Sequence, residues 1–241
     1  MLLKINRPAA RNAMTKAVAE GIAIALDQLD SSLDLAVAVI AGTGGTFCAG
    51  MDLKRFELGE LPKVEGRGFA GFVEAPPAKP IIAAVEGWAL GGGFELVLAT
   101  DLAVAAEGAR FGLPEVKRGL IARAGGAVRL PRLLPRPVAM EVLMTGEPLS
   151  AERAHALGLV NYVVPDGQAL DAALKLATTI ASNAPLAVRA VKRLVRESEF
   201  WPADEIFTRQ VGITDPVFAS ADAAEGRKAF AEKRTPTWQG Q

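Results

Sequence analysis

The chain is poor in the side chains that carry the commonest enzyme chemistries. Its 241 residues include one cysteine, one histidine and one tyrosine. One cysteine excludes an internal disulfide, and with a single histidine it leaves no basis for a His/Cys metal site. The same scarcity leaves little material for a Ser/His or Cys/His nucleophile pair. An excess of charge of one sign is also missing, since 27 Lys and Arg balance 27 Asp and Glu. That balance gives no reason to expect nucleic acid or a membrane surface as a partner. No apolar run approaches the ~20 residues of a membrane helix, and candidates such as Leu35–Ala41 are short. Met1-Leu2-Leu3-Lys4 does not open a secretory signal pattern. A soluble cytoplasmic protein is expected.

Half the residues are apolar and 24 are glycine. Spacings of three and four among Met14, Val18, Ile22, Ala25 and Leu29 predict a helix over Met14–Asp30. Leu35–Ala41, Ile81–Glu86 and Leu102–Ala106 read as buried strands. A helix is expected between the last two, from about Gly93 to Thr100. Strand, helix, strand suggests a parallel crossover. Met51–Ala78 is weakly patterned and reads as a mobile loop with some helix. From Gly167 onward the pattern is helical, with Pro185 opening one helix and Ser220 capping the last.

The glycine clusters differ in what they permit. Gly42–Gly45 lacks the Lys-Ser/Thr of a phosphate loop and reads as a turn. Gly91-Gly92-Gly93 follows a strand and precedes an apolar helix, where unpaired N–H groups meet the positive end of the helix dipole. Such a turn holds an oxyanion or merely lets helix and sheet pack closely. Phe47–Leu53 is a second turn after a second strand. Two donors converging on one carbonyl oxygen would stabilise an enolate, and enolate chemistry needs acids to move protons. Glu95 and Glu115 stand just beyond successive strand ends. Cys48 reads as an apolar filler, His155 as a core or interface histidine, Trp88, Trp201 and Trp238 as packing, Arg123 as surface, and Lys192, Arg193 and Arg196 as a solvated basic face.

At these residues the sequence resembles the enoyl-CoA hydratase/isomerase (crotonase) superfamily. The matching blocks are Asn6-Arg7-Pro8 with Arg11-Asn12-Ala13, Phe47–Lys54, Gly87–Leu96, Phe111–Glu115, Ala124-Gly125-Gly126 with Arg129-Leu130-Pro131, and Ala154–Val164. Together they cover essentially the whole chain. Glu225-Gly226, Ala229–Arg234, Pro236 and Trp238 make it similar to the carnitinyl-CoA dehydratase-like branch.

The resemblance implies an α/β fold of ββα units wound as a spiral, followed by a helical trimerisation region. Residues 1–180 would form the spiral core with the acyl-CoA site, and 181–241 the oligomerising and CoA-contacting region. It implies homotrimers, commonly paired into homohexamers. By motif, the oxyanion-hole N–H groups fall on Met51 and Gly92. Ala13, Ala49, Asp52, Leu53 and Lys54 fall where the family contacts acyl-CoA. Phe230 and Lys233 fall where the last helix reaches CoA, often on a neighbouring subunit. Glu115 is implied as proton donor to the α-carbon and Glu95 as the base that orients water, with exchange possible because close acids titrate as a pair. Both acids favour hydration of a 2-enoyl-CoA over double-bond isomerisation; the isomerase and a non-catalytic acyl-CoA-binding protein stand as alternatives. No metal or redox cofactor is implied, coenzyme A being part of the substrate.

Overall fold

A computed structural model describes residues 1–240. The chain runs through strand β1 (Leu2–Ile5), helix α1 (Lys16–Ser31), strand β2 (Ala38–Gly42) and a short helix α2 (Leu53–Glu57). A small hairpin follows, β3 (Lys63–Val64) with β4 (Gly68–Phe69). Next come two ββα units. The first is β5 (Ile81–Val85), β6 (Trp88–Leu90) and α3 (Gly92–Ala99), and the second β7 (Leu102–Ala106), β8 (Arg110–Gly112) and α4 (Gly126–Leu133). Then come α5 (Arg136–Thr145), β9 (Leu149–Ser150), α6 (Ala151–Ala156), β10 (Tyr162–Val164) and α7 (Ala169–Ala181). Three helices end the chain: α8 (Pro185–Ser198), α9 (Ile206–Phe218) and α10 (Ala221–Glu232).

Strand order separates a spiral from a doubly wound sheet, which reverses at a switch point. Here the main sheet reads β1-β2-β5-β7-β10, outward in chain order, with every neighbouring pair parallel. Each unit then gives its next strand to a second sheet, β6-β8-β9. An isolated bridge between Cys48 and Ala89 lays the turn after β2 along that same sheet. The chain is therefore a crotonase-type spiral of ββα units.

The main sheet is buried on both faces, as parallel sheets are. Ala38, Ile40, Ile81, Ala83, Val85, Ala103 and Ala105 face the interior of the spiral, with Phe47, Phe72, Phe94 and Phe111. The alternate residues Val39, Ala41, Ile82, Ala84, Val104 and Ala106 pack on Ala169, Ala173 and Ala177 of α7. Alanine on that face of α7 lets the helix lie close to the strands. Among the described residues no helix is long and apolar enough to cross a membrane.

Several expectations are corrected. Helix α1 begins at Lys16, because the Thr15 hydroxyl accepts from the Val18 N–H and caps it. Met14 instead stays extended, fully buried, bridged to Met51. The Met51–Ala78 segment holds the expected helix, α2, and in addition a hairpin and buried residues. Asp52 caps α2, and Ala70, Phe72 and Val73 are buried. Strands β6 and β8 are additional elements, for which the sequence pattern gave no expectation. Lys192 is not solvated: its side chain is 7% exposed and its Nζ donates to Asp101 Oδ2 at 2.6 Å and to the Lys79 carbonyl at 2.8 Å. Arg193 and Arg196 are exposed, as expected. His155 is not in the core of the single chain: it is exposed there, with Nδ1 2.9 Å from the Val160 carbonyl oxygen.

Candidate active site

The site begins with two turns that the second sheet brings together. Cys48 donates to the Trp88 carbonyl at 3.0 Å, and Leu90 donates back to the Cys48 carbonyl at 3.0 Å. That pairing lays Ala49–Met51 beside Gly91–Gly92. Gly50 has φ +90°, and a Cβ there would stand 2.8 Å from the Leu90 oxygen and 3.1 Å from the Gly92 nitrogen. Only glycine permits both this backbone conformation and this approach.

The Met14 N–H donates to the Gly50 carbonyl at 2.8 Å, and Asp52 donates to the Met14 carbonyl at 3.0 Å. The two bonds engage the groups on either side of Met51 and leave its own N–H out. Gly92 is the first residue of α3, where an N–H has no partner within the helix. Among the described residues neither the Met51 nor the Gly92 N–H donates a hydrogen bond. Two unengaged amides thus lie on adjacent turns, one of them at a helix N-terminus. This is the arrangement that stabilises negative charge on a carbonyl oxygen.

The two carboxyls arrive by parallel routes. Strand β6 pairs with β8 in the register Leu90 with Gly112, and the Gly91 N–H donates to the Gly112 carbonyl at 2.8 Å. Beyond β6 the chain enters α3 and reaches Glu95. Beyond β8 it enters a 3-10 turn, Pro114–Arg118, and reaches Glu115. Phe94 and Phe111, with ring centroids 5.5 Å apart, lock the two routes together.

Glu95 is only 3% exposed, and its Oε1 accepts from the Gly126 N–H at 2.8 Å. Burial pushes its carboxyl up to about 7; Glu115 adds to the rise, while the Gly126 and Ala124 amides and Arg129 oppose it. Glu115 is also raised by burial, against a backbone hydrogen bond and the charge of Arg118. Its Oε2 is buried without a partner, so it is free to hold a water or a substrate proton. Burying an unsatisfied carboxyl oxygen is costly, and such a group is characteristic of reactive sites.

The remaining sequence-predicted positions divide. Ala13, Ala49, Asp52, Leu53 and Lys54 gather around the Met51 turn. The Ala49 N–H donates to Arg11 at 3.0 Å, and Arg7 Nη1 donates to the Ala13 carbonyl at 2.5 Å and to Asp52 Oδ2 at 2.9 Å. Burial would raise Asp52, but the hydrogen bond and charge of Arg7, with the Arg55 and Lys54 amides, hold it below the usual carboxylate range. Leu53 and Lys54 are exposed beside this turn. Phe230 and Lys233 stand apart in the single chain. Helix α10 packs on α9, and Phe230 is 87% exposed. Cys48 is buried, which pushes its thiol up to about 12 and fits a filler rather than a nucleophile.

Sequence reasoning missed Phe69. The hairpin places its ring so close over Gly92 that a Cβ on Gly92 would overlap it. The ring therefore packs against the Gly92 Cα, beside the turn that carries the unengaged N–H. The strand that carries it is two residues long, too short to show a period.

Residues 1–241 match the family described as Enoyl-CoA hydratase/isomerase. The chain is 43% identical to enoyl-CoA hydratase EchA19 of Mycobacterium tuberculosis, over 99% of this chain and 92% of that protein. It is 45% identical to a carnitinyl-CoA dehydratase of Salmonella enteritidis, over 86% of this chain and 82% of the relative. The crystal structure of enoyl-CoA hydratase EchA1 from Mycobacterium marinum superposes with a TM-score of 0.98 at 56% identity, covering 100% of this chain and 95% of that one.

Proposed function

The chain belongs to the enoyl-CoA hydratase/isomerase family, and on that premise we propose that it adds water reversibly across the double bond of a 2-enoyl-CoA to give the 3-hydroxyacyl-CoA. The observation that carries this reading is the convergence of two unengaged N–H groups, on Met51 and Gly92, with two carboxyls of raised proton affinity, buried Glu95 and half-buried Glu115.

The thioester oxygen accepts from the Met51 and Gly92 N–H groups, which draws electron density from the β-carbon. A water held between the carboxyls attacks that carbon on the face they share. One carboxylate takes a proton from the water, and the carboxyl that bears the pair's proton delivers it to the α-carbon as the enolate collapses. One water is consumed, one C–O and one C–H bond form, and the pair ends with the single proton it began with. Addition is therefore syn. Glu115 is assigned as donor and Glu95 as base, and the shared proton lets the two exchange. In other enzymes a single oxyanion donor contributes about 2.7–4 kcal/mol to the barrier. The chemistry needs no cofactor beyond the CoA of the substrate.

The reading extends to assembly. Ala13, Ala49, Asp52, Leu53 and Lys54 of one chain would contact CoA together with Phe230 and Lys233 from the last helix of a neighbour. Residues 181–241 would form the trimer, or the trimers of a hexamer. Exposed Val191 and Val195 on α8 and Phe207 and Phe218 on α9 supply an apolar face for it. The lone buried thiol suits a cytoplasmic setting. The carnitinyl-CoA dehydratase relative supports a second reading with the same chemistry, crotonobetainyl-CoA being the acyl thioester.

Loss of the enoyl-thioester absorbance of crotonyl-CoA, with crotonobetainyl-CoA run beside it, tests the proposal. Rapid loss with crotonyl-CoA supports a general hydratase, and loss with crotonobetainyl-CoA alone supports the second reading. Loss with neither contradicts both and favours an isomerase or a binding protein.

A further inference from the structure

We propose that Arg129 is a positioning residue for Glu95: its guanidinium clamps the carbonyls of Val73 and Ala124 and so fixes the turn whose Gly126 N–H holds the Glu95 carboxyl. This rests on the hydratase reading only for its effect on turnover.

Three observations carry it. First, Arg129, on α4, reaches back over the turn that starts its own helix. It donates through Nη2 to the Val73 carbonyl and through Nη1 to the Ala124 carbonyl at 3.4 Å. Val73 closes the segment that follows the Phe69 hairpin, and Ala124 stands two residues before Gly126. One planar fork thus joins the segment after the Phe69 hairpin to the turn that opens α4, a geometry that lysine cannot reproduce.

Second, the turn is shaped around the guanidinium. Gly125 has φ +108°, and a Cβ there would overlap Arg129 Nη1. The next residue, Gly126, makes the 2.8 Å bond to Glu95 Oε1. Third, Arg129 is the cation whose charge bears on Glu95, opposing burial and the charge of Glu115. Arg129 in turn faces Arg132 of its own helix, Arg196 of α8, Glu95 of α3 and Glu74. Arg196 and Arg132 disfavour the guanidinium charge, while Glu95 and Glu74 favour it.

Glu95 therefore owes both its direction and part of its acidity to Arg129. Losing the guanidinium raises its proton affinity, so the base limb of the pH profile moves to higher pH.

The test uses Arg129→Met and Arg129→Lys in the assembled protein, with two readouts. Infrared difference titration follows the protonated carboxyl of Glu95, identified by its disappearance in Glu95→Gln. Steady-state kinetics on crotonyl-CoA give kcat and KM against pH. For Arg129→Met the midpoint should rise by about one pH unit, as for loss of one neighbouring opposite charge. Its kcat at neutral pH should fall at least ~10-fold while KM changes little. Arg129→Lys should restore the midpoint but only part of kcat, because charge returns without the fork. An unchanged midpoint in Arg129→Met would make the residue merely structural. Wild-type kcat in Arg129→Lys would overturn the clamp, and that variant decides the matter if Arg129→Met does not fold. The infrared titration needs no turnover, so a chain inactive on enoyl-CoA sinks the hydratase reading and leaves this result readable.

Discussion

The charge of Glu115 raises the proton affinity of Glu95, although the two acids reach the site on different ββα units. Glu95 is tied to the Gly126 N–H, while Glu115 keeps one buried oxygen unpartnered. Both acids hold a proton more tightly than an ordinary carboxylate, and hydration requires the pair to carry one proton and one charge.

Replacing either acid breaks that state. Glu95→Gln and Glu115→Gln should each lower kcat by about 10²–10⁴, with CoA-ester binding, measured by calorimetry, within a few-fold of the parent. In Glu115→Gln a negative neighbour is lost, so Glu95 becomes more acidic and its limb of the pH profile moves down. Full activity in either variant contradicts the two-acid site.

Stability should fall as pH rises. The Glu95 pKa is raised on folding, from its ordinary 4.5 to about 7, so the folded state binds its proton more tightly than the unfolded chain. The stability this contributes is present below about pH 4.5 and is lost as pH climbs through 7, up to about 3 kcal/mol. Glu115 is raised too and acts in the same direction. Glu95→Gln carries no such charge, so it should melt several degrees above the parent at pH 8 and with little difference at pH 5. A constant gap between the two pH values would speak against a buried, reluctant carboxylate.

Adjacent glycines should fail differently. A Cβ on Gly93 would overlap the Cys48 carbonyl, which the Leu90 N–H holds in place. Gly93→Ala should therefore destabilise the fold by about 1–3 kcal/mol or more, seen as a lowered Tm. A Cβ on Gly92 would meet the Phe69 ring, a side chain free to rotate away. Gly92→Ala should stay folded with a smaller drop in Tm but turn over slowly, because the displaced ring crowds the oxyanion donor.

Phe69 should also set which acyl groups enter. Phe69→Ala opens the space over Gly92, so kcat/KM for branched or longer enoyl-CoAs should rise relative to crotonyl-CoA. An unchanged ratio across a chain-length series would place the acyl group elsewhere.

What the sequence displayed follows from where the information is local. Ile81–Val85 and Leu102–Ala106 are continuous apolar runs, so both strands were legible, and Gly91–Gly93 marked the start of α3. Glu95 and Glu115 were legible through the ordered motif blocks, because no composition or period distinguishes them from surface acids. Strands β6 and β8 were not legible: each is three residues long, and pairing rather than pattern defines them. The bridge of Met14 to Met51 was hidden for a related reason. Met14 fits the apolar face of α1, and only the Thr15 cap, acting with a partner distant in sequence, removes it from the helix. Lys192 looked solvated because Asp101, its partner, lies on another layer of the fold.

The most direct test of the account is conversion of a 2-enoyl-CoA in D2O, with the product read by NMR. The account predicts a 3-hydroxyacyl-CoA with a single deuterium at the α-carbon, on the face that received the hydroxyl, and loss of this product in Glu95→Gln and Glu115→Gln. Deuterium on both faces, a 3-enoyl-CoA as the product, or unchanged substrate would contradict it.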